Sequence, residues 1–472
     1  MSSQPVSQVQ LRTAMGLRDV VLFFVTAGTN LQWVATAAAA GTSSITAWII
    51  TAVAMFLPMA YCVVDLSSRY PQEGGIYVWT KRAFGDFAGF ITGWTYWTSN
   101  LPYFPGVLYF AASNALFIGP RGWRGLADSP AYFILASLLG LGLGTVLNVV
   151  GLDVGKWLTN AGALCRWLAT LALVGIGVVA WLRLGSATDW SLASLRPGLG
   201  LRDVIFWSTL AFAWTGFEAA SFMGDEIQDA RRTIPRAIFA SAPLIALIYV
   251  AGTASVLVAL PVGEVSALQG IMQAVERAAQ RIGLPMLTPM VAAFIVVTAL
   301  ASVGAWLAAV ARIPFVAGVD RYLPQGFARL HPRWGSPHVA LLSQTLITVV
   351  FVFLGQAGTS VKGAYNALVS LAVIGTLLPF LLIFASAIKL QAEPAPAGAP
   401  RLPGGRPAIV ALALLGLFTT VSSIILSAFP ALDEANKPLA VVKVVGLTCV
   451  TVGAGVLVYA AGRRRARAAA RS

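Results

Sequence analysis

Two short stretches decide how this chain is read: Ala27-Gly28-Thr29-Asn30-Leu31-Gln32 and Ala213-Trp214-Thr215-Gly216-Phe217-Glu218. Each lies inside a run long and apolar enough to cross a bilayer, and each places glycine and polar residues where such a run should be most uniform. Glycine, and side chains that compete for backbone hydrogen bonds, weaken a helix. Unwound backbone at membrane depth is tolerated only where it lines a cavity in the protein. Two broken helices therefore mark a candidate binding site. Half-helix N-termini offer N–H donors and a positive dipole end to a carboxylate, and unwound carbonyls hold an ammonium or another cation. The plainer alternative is that the glycines only let helices pack closely, which suits one such helix better than two broken at corresponding points.

The rest of the chain supplies the setting. Of its 472 residues, 58% are hydrophobic and 11% charged, against roughly 25% charged in soluble domains. Mean hydropathy is +0.78. An ordinary water-soluble enzyme is excluded, as is a disordered or collagen-like chain. A template of roughly 20 apolar residues per crossing predicts an all-α membrane protein of twelve transmembrane helices. The spans are 18–40, 45–66, 84–118, 130–150, 156–183, 201–228, 236–260, 285–312, 338–356, 363–388, 407–429 and 439–461. The third is too long for one straight crossing and is expected to tilt or project. No stretch outside the spans is large enough for a separate soluble domain, and 390–406 reads as a Pro/Ala linker. The polar start, with Arg12 and Arg18, does not read as a cleaved secretory signal.

Basic residues set the expected orientation. With both termini cytoplasmic in an inner or plasma membrane, roughly two of every three Lys and Arg fall in inside loops or the tail, the positive-inside pattern. That distribution accounts for the net charge of +14 as topology plus a tail, Arg463 to Arg467, facing anionic lipid headgroups. No folded basic domain accompanies the tail, so nucleic acid is not an expected partner. Leu17-Arg18-Asp19-Val20 enters the first span from inside, and Leu201-Arg202-Asp203-Val204 enters the sixth from outside. An inverted repeat produces that relation. The organisation read from this is a segment 1–17, a five-helix repeat 18–183, an inverted repeat 201–388, a linker 389–406, two peripheral helices in 407–461, and a basic tail 462–472.

Three groups of motifs carry a family resemblance. The first is Phe212-Ala213-Trp214-Thr215-Gly216-Phe217-Glu218, with Asp225-Glu226 and Arg231-Arg232-Thr233-Ile234-Pro235-Arg236-Ala237 after it. The second is Tyr70-Pro71-Gln72-Glu73-Gly74-Gly75-Ile76-Tyr77-Val78-Trp79, then Phe84-Gly85. The third is Ser302-Val303-Gly304-Ala305-Trp306, with Asp320-Arg321-Tyr322-Leu323-Pro324 and Gly335-Ser336-Pro337. Together, over about residues 17–390, they resemble the amino acid–polyamine–organocation (APC) superfamily of transporters. The first-helix Gly-Ser/Ala-Gly of that family reads Ala27-Gly28-Thr29 here, a departure that bears on the carboxylate pocket.

The resemblance implies a broken-helix, inverted five-plus-five (LeuT-like) fold with two peripheral helices. It further implies that the backbone of Ala27, Gly28, Thr29 and Asn30 holds a substrate carboxylate, and that the carbonyls of Phe212, Ala213, Trp214 and Thr215, beside Gly216, hold an α-ammonium. Phe212 or Trp214 would be an aromatic gate, with ordinary packing as the alternative for either. Tyr96, Trp97 and Trp306 are further pocket residues by the same matching.

Two ionisable residues, Glu218 and Arg166, lie deep within spans, where function is the default reading. Glu218 is a candidate proton acceptor or charge partner, with Tyr96 its hydrogen-bond partner if the family arrangement holds; the alternative is a structural carboxyl tied to backbone donors. Arg166 aligns with the position where sodium-independent members carry a lysine in place of the ion. Guanidinium does not deprotonate in proteins, so Arg166 supplies a permanent cation and cannot carry the proton; the alternative is a side chain snorkelling to an interface. Cys62, Cys165 and Cys449 lack ligand spacing. No phosphate-cradling loop or hydrolase motif occurs, so no cofactor or metal is expected.

The function expected is secondary active transport of an amino acid by alternating access, independent of sodium, coupled to a proton or to a counter-substrate. Transport of a polyamine or another organic cation is the alternative, and a ligand sensor that does not transport is a third. Neither the particular substrate nor the oligomeric state is legible.

Overall fold

Where the sequence interrupts its apolar runs, the backbone unwinds. The computed structural model describes residues 15–72, 74–150, 152–319, 322–394, 402–430 and 436–469. Helix α1 (Leu17–Gly28) ends where Thr29 (φ −109°, ψ 123°) and Asn30 (φ −125°, ψ 118°) turn extended, and α2 (Leu31–Ala39) starts immediately after, its N-cap Asn30 accepting from Gln32 N–H. The chain continues through α3 (Ser43–Arg69), α4 (Gly75–Phe84), α5 (Asp86–Ala115), α6 (Pro130–Val150) and α7 (Leu152–Leu184). Helix α8 (Leu201–Ala213) also stops short, but in a turn rather than in extended backbone, with Trp214 at φ −84°, ψ 3°. Gly216 follows with φ +114°, a left-handed conformation that glycine adopts without a Cβ clash, and the chain resumes as a 3₁₀ helix, Phe217–Glu226.

The paired Leu-Arg-Asp-Val motifs do the same local work at both helix starts. Asp19 accepts from the backbone N–H of Gly16 at 2.8 Å and Asp203 from that of Gly200 at 3.2 Å. Each carboxylate thereby occupies the donor-rich N-terminus of the helix it begins.

Beyond the second break lie α9 (Ala230–Ala259), α10 (Gly270–Arg281), α11 (Leu287–Val319), α12 (His338–Gln356), α13 (Val361–Leu390), α14 (Gly405–Ser427) and α15 (Lys437–Arg465). Among the described residues nine helices are long and apolar enough to cross a membrane: α3, α6, α7, α9 and α11 through α15. The first and sixth predicted spans fall outside this set because each is cut in two. The third corresponds to α5, whose 30 residues include Thr92, Thr95, Thr98, Ser99 and Asn100, all buried against other helices rather than facing lipid. One expectation needs correction: the sixth span does not continue as α-helix after its break. A helix outside the predicted spans, α10, also lies between the seventh and the eighth. Ile271, Met272, Val275 and Ala278 of α10 are buried while Glu276, Arg277 and Arg281 break up its apolar run, which is the pattern of a surface helix, not of a span.

Helices α1 and α2 pack on α9, α7 on α11, and α5 on α13 and α11, so the two breaks lie at the centre of the bundle. At the Leu390 end of α13 a polar cluster ties that helix to the loop between α3 and α4. Arg69 is bonded to Asp65 (2.9 Å) and to the side chain of Gln391 (3.1 Å). Glu393 accepts from Tyr70 Oη (2.7 Å) and Arg82 Nη2 (2.8 Å). Asp65 thus pairs with Arg69, and Arg82 with Glu393. Glu73 and the side chain of Glu226 lie outside the described residues.

The donation from Arg82, helped by that of Tyr70, holds the Glu393 carboxyl below its ordinary value of 4.5. A lowered folded-state value means that this pairing stabilises the fold fully above 4.5 and is lost as pH falls through the depressed value. Glu393→Gln should therefore melt below wild type at neutral pH, in thermal unfolding in detergent. The difference should vanish in acid, once wild type is protonated too; a difference that persists there would mean the carboxylate charge is not the cause.

Candidate binding site between the two broken helices

The breaks face a common cavity. Its lining comprises Gly28, Asn30 and Trp33 from the first break, Phe212, Ala213 and Thr215 from the second, Tyr96, Asn100 and Tyr103 from α5, Trp306 from α11 and Thr376 from α13. The space for water-sized atoms is about 30 Å³, enough for about two waters, so any larger ligand requires the aromatic walls to move. No Asp, Glu, Lys or Arg belongs to this lining. Polarity comes from two asparagines, two tyrosines, two threonines and the ends of unwound backbone.

Asn30 is held on three sides. Its Nδ2 donates to Tyr103 Oη at 2.9 Å, its Oδ1 accepts from Gln32 N–H, and its own N–H donates to Tyr249 Oη at 3.3 Å. The Phe212 ring meets Trp33 edge-on with centroids 5.5 Å apart, and Tyr103 at 6.4 Å. Trp306 reaches the same Tyr103 at 6.4 Å. Its buried indole N–H has no hydrogen-bond partner among the described residues, a donor whose desolvation is uncompensated until something polar reaches it.

Of the predicted site residues, Gly28, Asn30, Tyr96, Phe212, Ala213, Thr215 and Trp306 line the cavity, and the side chain of Ala27 lies outside the described residues. Thr29, Trp97, Trp214 and Gly216 do not line it. Trp97 donates to Gln344 at 3.2 Å on another face of α5. Trp214 packs among Trp48, Phe56 and Tyr249 and donates to Thr51 at 3.0 Å. Gly216 acts through its backbone conformation and its N–H. Trp33, Asn100, Tyr103 and Thr376 are lining residues that the sequence reading did not name. Asn100 and Tyr103 were within reach, since they follow Tyr96 at i+4 and i+7 on one helix face; Thr376 carries no such signal.

Two buried ionisable groups flank the cavity without entering it. The Arg166 guanidinium, on α7, donates through Nη1 to the carbonyls of Val25 (3.2 Å) and Thr29 and to Thr29 Oγ1 (2.9 Å), and through Nη2 to Ser302 Oγ on α11. It is 1% exposed, so it does not snorkel to an interface, and it binds the frayed C-terminus of α1, where carbonyls lack helical partners and the dipole favours a cation. Glu218, fully buried, accepts from Tyr96 Oη at 2.7 Å and from Gly216 N–H at 2.9 Å. Each of its oxygens therefore has one donor, the second coming from the residue whose left-handed turn makes the break.

Two interrupted helices around a cavity at the centre of a bundle of membrane-crossing helices are the arrangement of a broken-helix membrane transporter. A solved structure, MhsT in complex with L-phenylalanine, matches the chain with a TM-score of 0.60 over 93% of this chain and 98% of that one at 12% identity, a likeness of fold. That fold is the LeuT-like one, two inverted five-helix repeats. The amino acid permease family model matches residues 13–454, and the chain belongs to that family. Among curated relatives, an uncharacterized transporter of Legionella pneumophila is 27% identical over 89% of this chain and 90% of its own. A probable agmatine/putrescine antiporter of Lactococcus lactis is 25% identical over 75% of this chain and 74% of its own.

Proposed function

We propose that this transporter moves an amino acid by alternating access, without sodium, coupled to a proton or to a counter-substrate. The observation that carries the reading is the neutral cavity bounded by the backbone of both breaks. A zwitterion finds its counter-charges there in the backbone of Ala27 to Asn30 at the first break for its carboxylate and in carbonyls of Phe212 to Thr215 for its ammonium, with aromatic walls left for its side chain. A diamine brings two cations and no anion, and the lining has no carboxylate to balance the second. The antiporter relative keeps the polyamine reading as the alternative, with cation–π contacts to Trp33, Phe212 or Trp306 as its physical basis.

Arg166 takes the place of a bound sodium ion in this reading, bridging the end of α1 to α11. Glu218 is the proton site: a proton on the oxygen facing Gly216 displaces that N–H donor, so protonation loosens the second break. Both termini are cytoplasmic, which puts the Arg69–Glu393 cluster on the inner face. A second cavity of about 170 Å³, lined by Thr36, Ser208, Tyr365, Asn366, Ser370 and Val373 among others, reaches α13 one turn from Thr376, on the side away from that cluster. It serves as the outer approach to the site.

The deciding experiment is uptake into proteoliposomes of a labelled amino-acid mixture, with labelled putrescine in parallel, varying sodium and the proton gradient independently. Sodium-independent amino-acid uptake supports the reading; uptake of putrescine alone replaces the substrate class, and sodium dependence removes the assigned role of Arg166. Phe212 is the gate in this reading, so Phe212→Ala should raise KM roughly tenfold, the worth of about 1.5 kcal/mol of aromatic contact. Trp214→Phe should lower stability and leave KM unchanged. Equal KM effects from the two would sink the assignment of the gate to Phe212.

A further inference from the structure

One hydroxyl touches unwound backbone on both sides of the cavity. Tyr249, midway along α9 and fully buried, approaches the carbonyl of Gly28 at 2.9 Å and that of Ala213 at 3.1 Å, and accepts from Asn30 N–H at 3.3 Å. Gly28 ends α1, Ala213 ends α8 and Asn30 caps α2. The groups concerned are those that a continuous helix would have paired and that the breaks set free. The hydroxyl has one proton and two carbonyls within reach, so it donates to either Gly28 or Ala213 at a given moment and can change partner by rotating about its C–O bond.

The ring is not free to follow. It stacks on Trp48 with centroids 4.4 Å apart and an interplanar angle of 3°, and Trp214 meets both rings edge-on at 5.5 and 5.6 Å. Trp48 is pinned in turn by donation to Thr253, one turn further along α9, at 3.1 Å. A fixed ring bearing a rotatable proton between two carbonyls makes a two-position contact.

We propose that Tyr249 is the positioning residue that couples the two breaks, holding one half-helix end while the other is released. This deepens the transport reading, and rests on the breaks being the parts that move. Tyr249→Phe keeps the stacked ring and deletes only the hydroxyl. Thr253→Val, which unpins Trp48 and leaves the hydroxyl in place, is the control.

Hydrogen–deuterium exchange of the full-length protein in lipid nanodiscs reads the coupling without a transported ligand. In Tyr249→Phe the amides of residues 25–31 and of 211–216 should both exchange at least about tenfold faster, while Thr253→Val, in which the Trp48 stack and the Trp214 edge still hold the ring, should speed either by less than about threefold. Acceleration at one break alone, or at neither, overturns the proposal. In proteoliposomes, turnover of whichever labelled probe wild type accumulates, amino-acid mixture or putrescine, should fall about tenfold with KM changed less than twofold. A rise in KM at unchanged turnover would make Tyr249 a binding residue and overturn its role in coupling. Should wild type accumulate neither probe, the substrate reading fails and the exchange measurement still decides the coupling.

Discussion

Arg166→Met is expected to lower uptake about a hundredfold, with protein still inserted in the membrane. Among the described residues the side chain is the partner of four buried acceptors, the carbonyls of Val25 and Thr29 and the hydroxyls of Thr29 and Ser302. Methionine fills much of the volume and satisfies none of them. Val25 keeps the bonds from Thr29 N–H and Oγ1, so the net loss falls on Thr29 and Ser302. At 1–3 kcal/mol for each orphaned group, a total near 3 kcal/mol, or about a hundredfold, follows. The loss is spent on the alignment of α1 against α11, so it should appear in turnover more than in binding. Arg166→Lys retains a cation that reaches fewer acceptors and should recover activity to within about tenfold of wild type. If Arg166→Met transported normally, or if Arg166→Lys were as inactive as methionine, the cation would not be the working part of that contact.

Glu218→Gln is the second large effect. The carboxamide presents an acceptor to one neighbour and an N–H to the other, so one of Tyr96 Oη and Gly216 N–H loses its acceptor. A lost hydrogen bond to a charged group, with the buried donor left behind, costs about 3 kcal/mol, or roughly a hundredfold in net uptake. The diagnostic lies in the mode of transport. If Glu218 carries the proton, the variant stops responding to a proton gradient, while counterflow between equal substrate pools falls much less. Equal losses in net uptake and counterflow would make Glu218 a structural cap on the second break. Uptake that still follows the proton gradient would remove it from coupling altogether.

These tests rest on features of unequal visibility in the sequence. The breaks were legible because their cause is local: Gly28 and Gly216, set among residues that bond to their own backbone, interrupt an apolar run whatever surrounds them. Asp19 and Asp203 were legible as an echo for the same reason, since each caps a helix three residues back. Arg166 and Glu218 stood out because charge is rare at membrane depth. By contrast, the inward face of α5 could be read only by stepping along the helix from Tyr96, and nothing in its own pattern picked out Tyr96. Its residues are buried almost all round, so no polar stripe distinguishes Tyr96, which enters the cavity, from Trp97, which turns about 100° away. The same holds for Phe212 and Trp214, two aromatic residues at one helix end with opposite fates.

What the sequence determined by itself is therefore the set of local rules: an all-helical membrane chain, where two of its helices must unwind, and which two buried charges need partners. Tertiary structure alone decided what closes around those points. Tyr249 lies over two hundred residues from Asn30 in the chain and over thirty from Ala213, and Thr376 arrives from a helix where nothing in the sequence sets it apart from Ser370 or Ser386. Contacts of that kind follow from how helix faces rotate and cross, which depends on the simultaneous fit of many neighbours rather than on any short run of residues. Helix propensity and burial act on neighbours in sequence, whereas a binding site is made by neighbours in space.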